Sequence, residues 1–419
     1  MGGNWKRTLY ILFAVQFISS LGFSVVLPFL PLYVRELGSS TGIRPEYSAG
    51  LFFSLQSITM MIAAPWWGRL ADRYGRKRMI LRATYGGTVV MVAMTFAGSA
   101  EELVVLGGLQ GLVTGTVTAI AALVAANAPR AKLGQAIGLM QVGQWAGIAL
   151  GPLLGGAVAD HAGFRASFLV TASVLLASGI IVQLGVHEAF SARPRPLLRV
   201  GMLADFKRAA GKTGVLAIYR LRFLDGLGRS MLMPFIPFFV ALLVLDEGRV
   251  ASGTGLALAI TAATGIATSL VLGRVGDRVG HKYVVVGCAF AAASFYMLYG
   301  LVDHFWQLVA LQALTGGSIG GLLPSLSALL SQATDPADAG TIYGADSAIS
   351  AAARAAAPLA GAVVMAWFGV RGLFVVTGCV FCLVAILAIS SIPAMVARSS
   401  EMLGSEPKLA DPEEPCLAR

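Results

Sequence analysis

Apolar runs of about 20 residues, the length a helix needs to cross a bilayer, recur along nearly the whole chain. They fall roughly at 8–34, 47–67, 79–99, 103–126, 134–159 and 164–186, and after a polar stretch at roughly 214–244, 250–272, 283–301, 305–330, 339–367 and 372–396. That spacing predicts an all-α membrane protein with twelve transmembrane helices in two sets of six. Composition agrees: 57% of the 419 residues are hydrophobic and 12% charged, too little polar surface to coat water-soluble domains of this length. Met1–Arg7 followed by an apolar run has the outline of a secretory leader. The run is too long and lacks a small-residue cleavage site, so it is expected to stay as the first span.

The net charge of +10 raises the question of nucleic acid, and the placement of the charge answers it. With the N-terminus in the cytoplasm, most Lys and Arg fall in cytoplasmic segments. Arg35, Arg44, Arg165, Arg249 and Arg371 fall in the outer loops. This is the positive-inside pattern, and it predicts a multi-pass protein of the inner (cytoplasmic) cell membrane with both termini cytoplasmic and no nucleic-acid partner. The four cysteines form no disulfide framework, and Cys379-x-x-Cys382 has no second pair of ligands for zinc. His161, His187, His281 and His304 lie at span ends or in loops without metal-ligand spacing, so neither a metal site nor an enzyme active site is expected.

The chain repeats itself. "VLPFLPLYV" from Val26 returns as "LMPFIPFFV" from Leu232, which puts Pro234 206 residues after Pro28. The same offset places Pro152 on Pro358, Arg165 on Arg371, and Gly134 and Gly138 on Gly340 and Gly344. Two related six-helix bundles follow, residues 1–186 and 214–396, joined by a basic cytoplasmic linker at 187–213 and followed by an acidic tail at 397–419 expected to be disordered. In spans 1 and 7 the paired prolines remove backbone hydrogen bonds and bend the helix, either as a packing kink or as a moving part.

Between spans 2 and 3 stands "GRLADRYGRKR", echoed between spans 8 and 9 by "GRVGDRVGHKY". Gly68 and Gly273 would allow close backbone approach, Gly75 a tight turn, and Asp72 an acceptor for a helix N-terminus. On Gly68, Leu70, Ala71, Asp72, Arg73, Gly75, Arg76 and Lys77 the chain resembles the major facilitator superfamily. In that family this loop latches the two bundles on the cytoplasmic side. The resemblance implies that Asp72 faces the start of span 11 and that, by symmetry, Asp277 beside Arg278 faces the start of span 5.

A second motif, "GIALGPLLGG", sets Gly147, Gly151, Pro152, Gly155 and Gly156 along span 5, a thin helix able to pack closely on another. It is similar to the pattern that marks the drug:proton antiporter branch, and the first half in detail resembles a bacterial type of multidrug exporter. The implied activity is secondary active transport: proton-coupled efflux of amphipathic small molecules by alternating access, driven by the proton gradient without a cofactor. The expected partners are a small-molecule substrate, protons and the lipid bilayer, with the chain acting as a monomer. An uptake symporter or facilitator for a small organic solute is the alternative on the same fold. One departure stands out: the arginine this family carries three residues before Gln110–Gly111 is here Gly107.

Only two acidic residues lie well inside predicted spans, Asp225 in span 7 and Asp346 in span 11. Asp225 shares a helix face with Arg222 and Arg229, and Asp346 a stripe with Ser350 and Arg354. A charge within the membrane costs a few kcal/mol or more unless paired or hydrated, so both faces turn away from lipid. They form either a static ion-pair network or the proton-coupling site, for which Asp225 is the preferred carrier, Asp346 the second, and Arg229 and Arg354 the switching partners. A central cavity would draw on Gln16, Gln110, Thr114, Gln141 and Gln144, with Phe223, Phe235 and Tyr343 as candidate aromatic lining. For each amide alone, interhelical hydrogen bonding is an equal alternative.

Overall fold

The computed structural model describes residues 5–127, 129, 132–188, 214–244, 246–334 and 339–391; the side chains of Asp72, Ala126, Glu247, Ala339 and Thr341 lie outside the description. Most of the linker and the whole tail fall outside it too. The described residues are almost entirely helical. We label the helices α1 Trp5–Leu37, α2 Pro45–Tyr74, α3 Arg76–Thr95, α4 (Ala100–Val113 and Thr116–Asn127), α5 133–162, α6 164–185, α7 Val215–Leu243, α8 Val250–Val279, α9 His281–Leu298, α10 Phe305–Gln332, α11 339–368 and α12 370–391. Among the described residues, nine segments are long and apolar enough to cross a membrane, two of which each contain two of these helices. Arg76–Thr95 is 20 residues long and carries Arg76, Lys77, Arg78 and Arg82.

The repeat seen in the sequence is a repeat of backbone. In α1 a 3₁₀ turn at Leu27–Phe29 interrupts the helix where Pro28 and Pro31 fall; in α7 the same turn occupies Met233–Phe235, at Pro234 and Pro237. The joints between α5 and α6 and between α11 and α12 are single glycines at positive φ, Gly163 (81°) and Gly369 (69°), a region other residues rarely adopt. The short loops after α2 and α8 turn on Gly75 (φ 97°) and Gly280 (φ 99°), as the motif predicts for Gly75. The loop after α2 is also pinned: the Glu188 carboxylate accepts from the Arg76 and Lys77 amides at 2.9 and 2.8 Å, capping the N-terminus of α3.

Each half has its own core. Phe235, Phe239, Tyr296, Tyr299, Phe374 and Phe381 pack together in the second, while Leu12, Phe29, Phe52 and Phe168 are buried in the first. Small residues on α5 let it lie directly on α1. A Cβ placed on Gly147 would sit 2.6 Å from the Phe17 carbonyl oxygen, and those on Gly151 and Gly155 would overlap Ser24 and the Val25 carbonyl. Within the motif Gly147, Gly151 and Gly155 pack on α1 inside the first bundle, while Pro152, Leu153 and Gly156 meet α8 of the other half. The last glycine of that row is repeated: a Cβ on Gly361 would lie 2.5 Å from the Met231 carbonyl oxygen and against the Phe235 ring, as one on Gly155 would meet Val25 and Phe29.

Candidate functional site: a cleft between the halves

Among the described residues the two bundles touch at one end only. There, a Cβ on Gly50 of α2 would lie 2.8 Å from Ala362 Cβ and 2.9 Å from the Pro358 carbonyl oxygen of α11, and Gly255 of α8 abuts the Pro152 carbonyl of α5. These contacts are related by the repeat, since Gly255 stands for Gly50 and Pro358 for Pro152. Gly156 adds a third, where an added Cβ would lie 2.5 Å from the Ala251 carbonyl oxygen. The Asp160 carboxylate, at the end of α5, then accepts from the Ala251 and Ser252 amides at 3.1 and 2.7 Å, capping the first turn of α8 in the other half. Its counterpart in the second half is Ala366, whose carbonyl accepts from Arg44 Nη1 at 3.4 Å.

The other end, which bears the basic loops, is parted. Eighteen residues is five helical turns, so it returns a helix to the same face about 27 Å away. Eighteen residues from Gly50, Gly255, Gly156 and Ala362 stand Gly68, Gly273, Gly138 and Gly344. A Cβ on any of these four would have nothing within 4 Å. The faces that lock the halves together at one end thus diverge into an open cleft at the other. Among the described residues Asp277 makes no contact with the start of α5; it is exposed and pairs with His281 Nε2 of α9, across the Gly280 turn, at 3.2 Å. The expected contact of Asp72 lies outside the described side chains.

Following each locking face into the cleft identifies its lining. On α11 the steps below Ala362 and Pro358 are Arg354, Ser350, Ser347 and Tyr343, with Arg354, Ser347 and Tyr343 exposed. On α5 they are Trp145, 44% exposed, and Gln141, and on α2 Met61, 40% exposed. Trp145, Met61 and Ser347 were absent from the sequence-based candidates. The eighteen-residue glycine spacing was the signal that could have found them.

The charges pair differently from the expected stripes. Asp225 is buried and bound by Arg229 of the same helix through Nε (2.8 Å) and Nη2 (2.6 Å). Arg222 reaches across the bundle to Asp346, with Nε to Oδ1 at 2.9 Å and Nη2 to Oδ2 at 3.3 Å, and its Nη2 also donates to Ser327 Oγ of α10 at 2.9 Å. The expected pairing of Asp346 with Arg354 is not made, because Arg222 already occupies both carboxylate oxygens. Arg354 has no hydrogen-bond or ion-pair partner among the described residues. The cleft is therefore lined by a free guanidinium, hydroxyls, an amide, an indole and a thioether, suited to a molecule with an apolar body and an acceptor or negative group.

Of the other expected lining residues, Gln16 is buried and donates to Ser20 Oγ at 3.2 Å, and Phe235 is buried against Gly361. Gln110 is buried against α3, with Nε2 to Thr114 Oγ1 at 3.4 Å, and Thr114 caps a break in α4. These residues belong to packing inside a bundle. Gln144 and Phe223 are half-buried. Gly107 has no room for the arginine of the family pattern, since the Phe52 ring lies 2.5 Å from where its Cβ would be. A guanidinium missed in the sequence, Arg82 of α3, lies 3.4 Å over the Trp67 ring and donates to the Thr114 carbonyl at 3.4 Å.

Two pseudosymmetric helical bundles around a cleft open at one end define a membrane transporter. The sequence matches the profile of the Major Facilitator Superfamily over residues 12–215 and 218–412, and the chain belongs to that family. Among characterised proteins it is similar to the multidrug resistance protein MdtG of Escherichia fergusonii, 33% identical over 380 residues covering 90% of this chain and 92% of that protein. The MdtG proteins of Yersinia enterocolitica and Proteus mirabilis are each 32% identical over 90% of this chain, covering 91% and 94% of theirs. Among solved structures, a bacterial homologue of the lysosomal transporter Spinster, in an inward-facing unoccupied conformation, superposes with a TM-score of 0.78 at 13% identity, over 95% of this chain and 98% of that one. The human organic anion transporter MFSD10 superposes at 0.65 and 19% identity, over 92% and 100%. These likenesses establish the fold.

Proposed function

We propose that this transporter exports amphipathic small molecules in exchange for protons, acting as a monomer in the cytoplasmic membrane. The basic end is cytoplasmic on this reading, because that is where Lys and Arg accumulate, and the state described is open to the cytoplasm and closed outside. The observation that carries the proposal is the division of charge in the second half: two carboxylates, each held by an arginine, beside a cleft whose own guanidinium is free. A substrate with a negative or acceptor group binds Arg354, its apolar body against Trp145 and Met61. Protonation of Asp225 or Asp346 releases its arginine and shifts α7 and α11 relative to each other. The kinship with MdtG proteins and the glycine motif of α5 favour export over uptake.

The test is transport into inverted vesicles under an imposed pH gradient alone. Asp225→Asn is expected to abolish accumulation against the gradient while leaving substrate binding within about threefold of the unchanged protein, with Asp346→Asn as its companion. Accumulation that persists in the double variant would place the carrier elsewhere.

A further inference from the structure

A cleft of about 290 Å³ opens between the first turns of α1 and α5 at the basic end, lined by Trp5, Lys6, Tyr10, Lys132, Gln135 and Leu139. It lies apart from the substrate cleft. Gln135 is two turns from Val142 on one face of α5, and Val142, 60% exposed, continues into exposed Leu153. Gln135 and Leu153 are turned about 60° around α5 from Gly138 and Gly156, off the centre of the face that borders the cleft. Lys6 and Lys132 have no carboxylate within 4.0 Å among the described residues, and Lys132 Nζ stands 5.9 Å over the Trp5 ring. Two unneutralised ammonium groups, an indole and an exposed tyrosine therefore surround a hollow at the membrane–water boundary.

We propose that this cleft is a binding site for one anionic phospholipid, its phosphate between Lys6 and Lys132 and an acyl chain running down the seam past Tyr10 and Leu139. The chemistry on each level fits. Ammonium groups near the membrane surface attract anionic headgroups by about 1 kcal/mol each, and tyrosine and tryptophan favour the boundary where one edge is wet and the other apolar. The site is built once. At the repeat positions 206 residues on, Trp5, Lys6, Tyr10 and Lys132 are replaced in the sequence by Gly211, Lys212, Leu216 and Asp338, so both aromatics are lost and an acid stands in place of one lysine. A general requirement of the fold for basic residues would have left both halves alike. The lipid ties the start of α5 to α1, beside the helix whose other end locks the halves together.

Native mass spectrometry of the full chain, titrated with phosphatidylglycerol or phosphatidylcholine, tests the site independently of transport. The expected result is a first phosphatidylglycerol bound at least fivefold more tightly than phosphatidylcholine. Lys6→Gln combined with Lys132→Gln should reduce it to the phosphatidylcholine level, and the Lys6→Arg, Lys132→Arg pair should retain it. Should the glutamine pair fail to fold, the single Lys132→Gln is expected to lose most of the preference. Equal binding of the two lipids, an undiminished preference in a folded glutamine variant, or displacement of the lipid by an equal concentration of inorganic phosphate would each overturn the proposal.

Discussion

Ser19 and Asp225 occupy the same place in the two halves, 206 residues apart, and so do Gln16 and Arg222. In the first half Ser19 Oγ shares a hydrogen bond with Ser178 Oγ at 2.8 Å and Gln16 donates to Ser20, neutral contacts inside a bundle. In the second half the equivalent residues carry both ion pairs. One backbone plan thus supports a half held by neutral hydrogen bonds and a half whose helix positions depend on charge. At these positions only the second half carries titratable groups, since hydroxyls and amides do not titrate in the accessible range. What the difference teaches is that pseudosymmetry constrains the scaffold and leaves the chemistry free to sit on one side.

The sharpest way to break that comparison is to remove equivalent residues. Arg222→Leu leaves Asp346 without its guanidinium in a nearly dry site, for which a loss of about 3–5 kcal/mol is expected in denaturant unfolding of the purified protein. Gln16→Leu should cost about 1 kcal/mol. Adding Asp346→Asn to Arg222→Leu should recover much of the loss, a coupling that a double-mutant cycle measures. Comparable costs at the two sites would mean that the halves do not differ in this way.

Packing comes next, where the halves are expected to behave alike. Gly155→Val and Gly361→Val both force a side chain into the backbone of the preceding partner helix, at about 1–3 kcal/mol each by the same unfolding measurement. Gly156→Leu sharpens the contrast within the motif. It pushes on α8 of the other half, so each bundle should keep its melting behaviour while cysteine labelling at the closed end rises.

The smallest effect concerns the closed end itself. Asp160→Ala removes a cap from α8, worth about 1 kcal/mol, which should raise the population open at that end roughly fivefold in spin-label distance distributions. Removing Arg44, whose contact to Ala366 is a single exposed hydrogen bond, should move the same distribution far less.

The helices, their repeat and the glycine turns were legible in the sequence because they depend on local composition and on residue spacing along one helix. Gly75 is an example: a turn that tight selects glycine whatever surrounds it. The pairing of Arg222 with Asp346 was not legible, because shared face and spacing describe one helix and the partner sits on another. The same gap hid Asp160. It lies beyond the apolar run of span 5, where a carboxylate suggests a loop, and only the approach of α8 from the other half gives it two amides to accept from. Gln16 and Gln110 mark the converse case, since an amide on an apolar helix reads equally as lining or as packing, and helix rotation decides.

The reciprocal contacts of Gly50 with Pro358 and Gly255 with Pro152 bear on leakage. A carrier short-circuits the gradient it lives on whenever both ends are open together, so its closed end must be shut nearly all of the time. Two seams related by a twofold axis join the same two bundles, so neither can part far while the other holds. Duplication of an ancestral bundle therefore supplies more than a second copy of a helix pair: it sets a like contact on each side of the closed end, so the halves rock apart there only when both let go together.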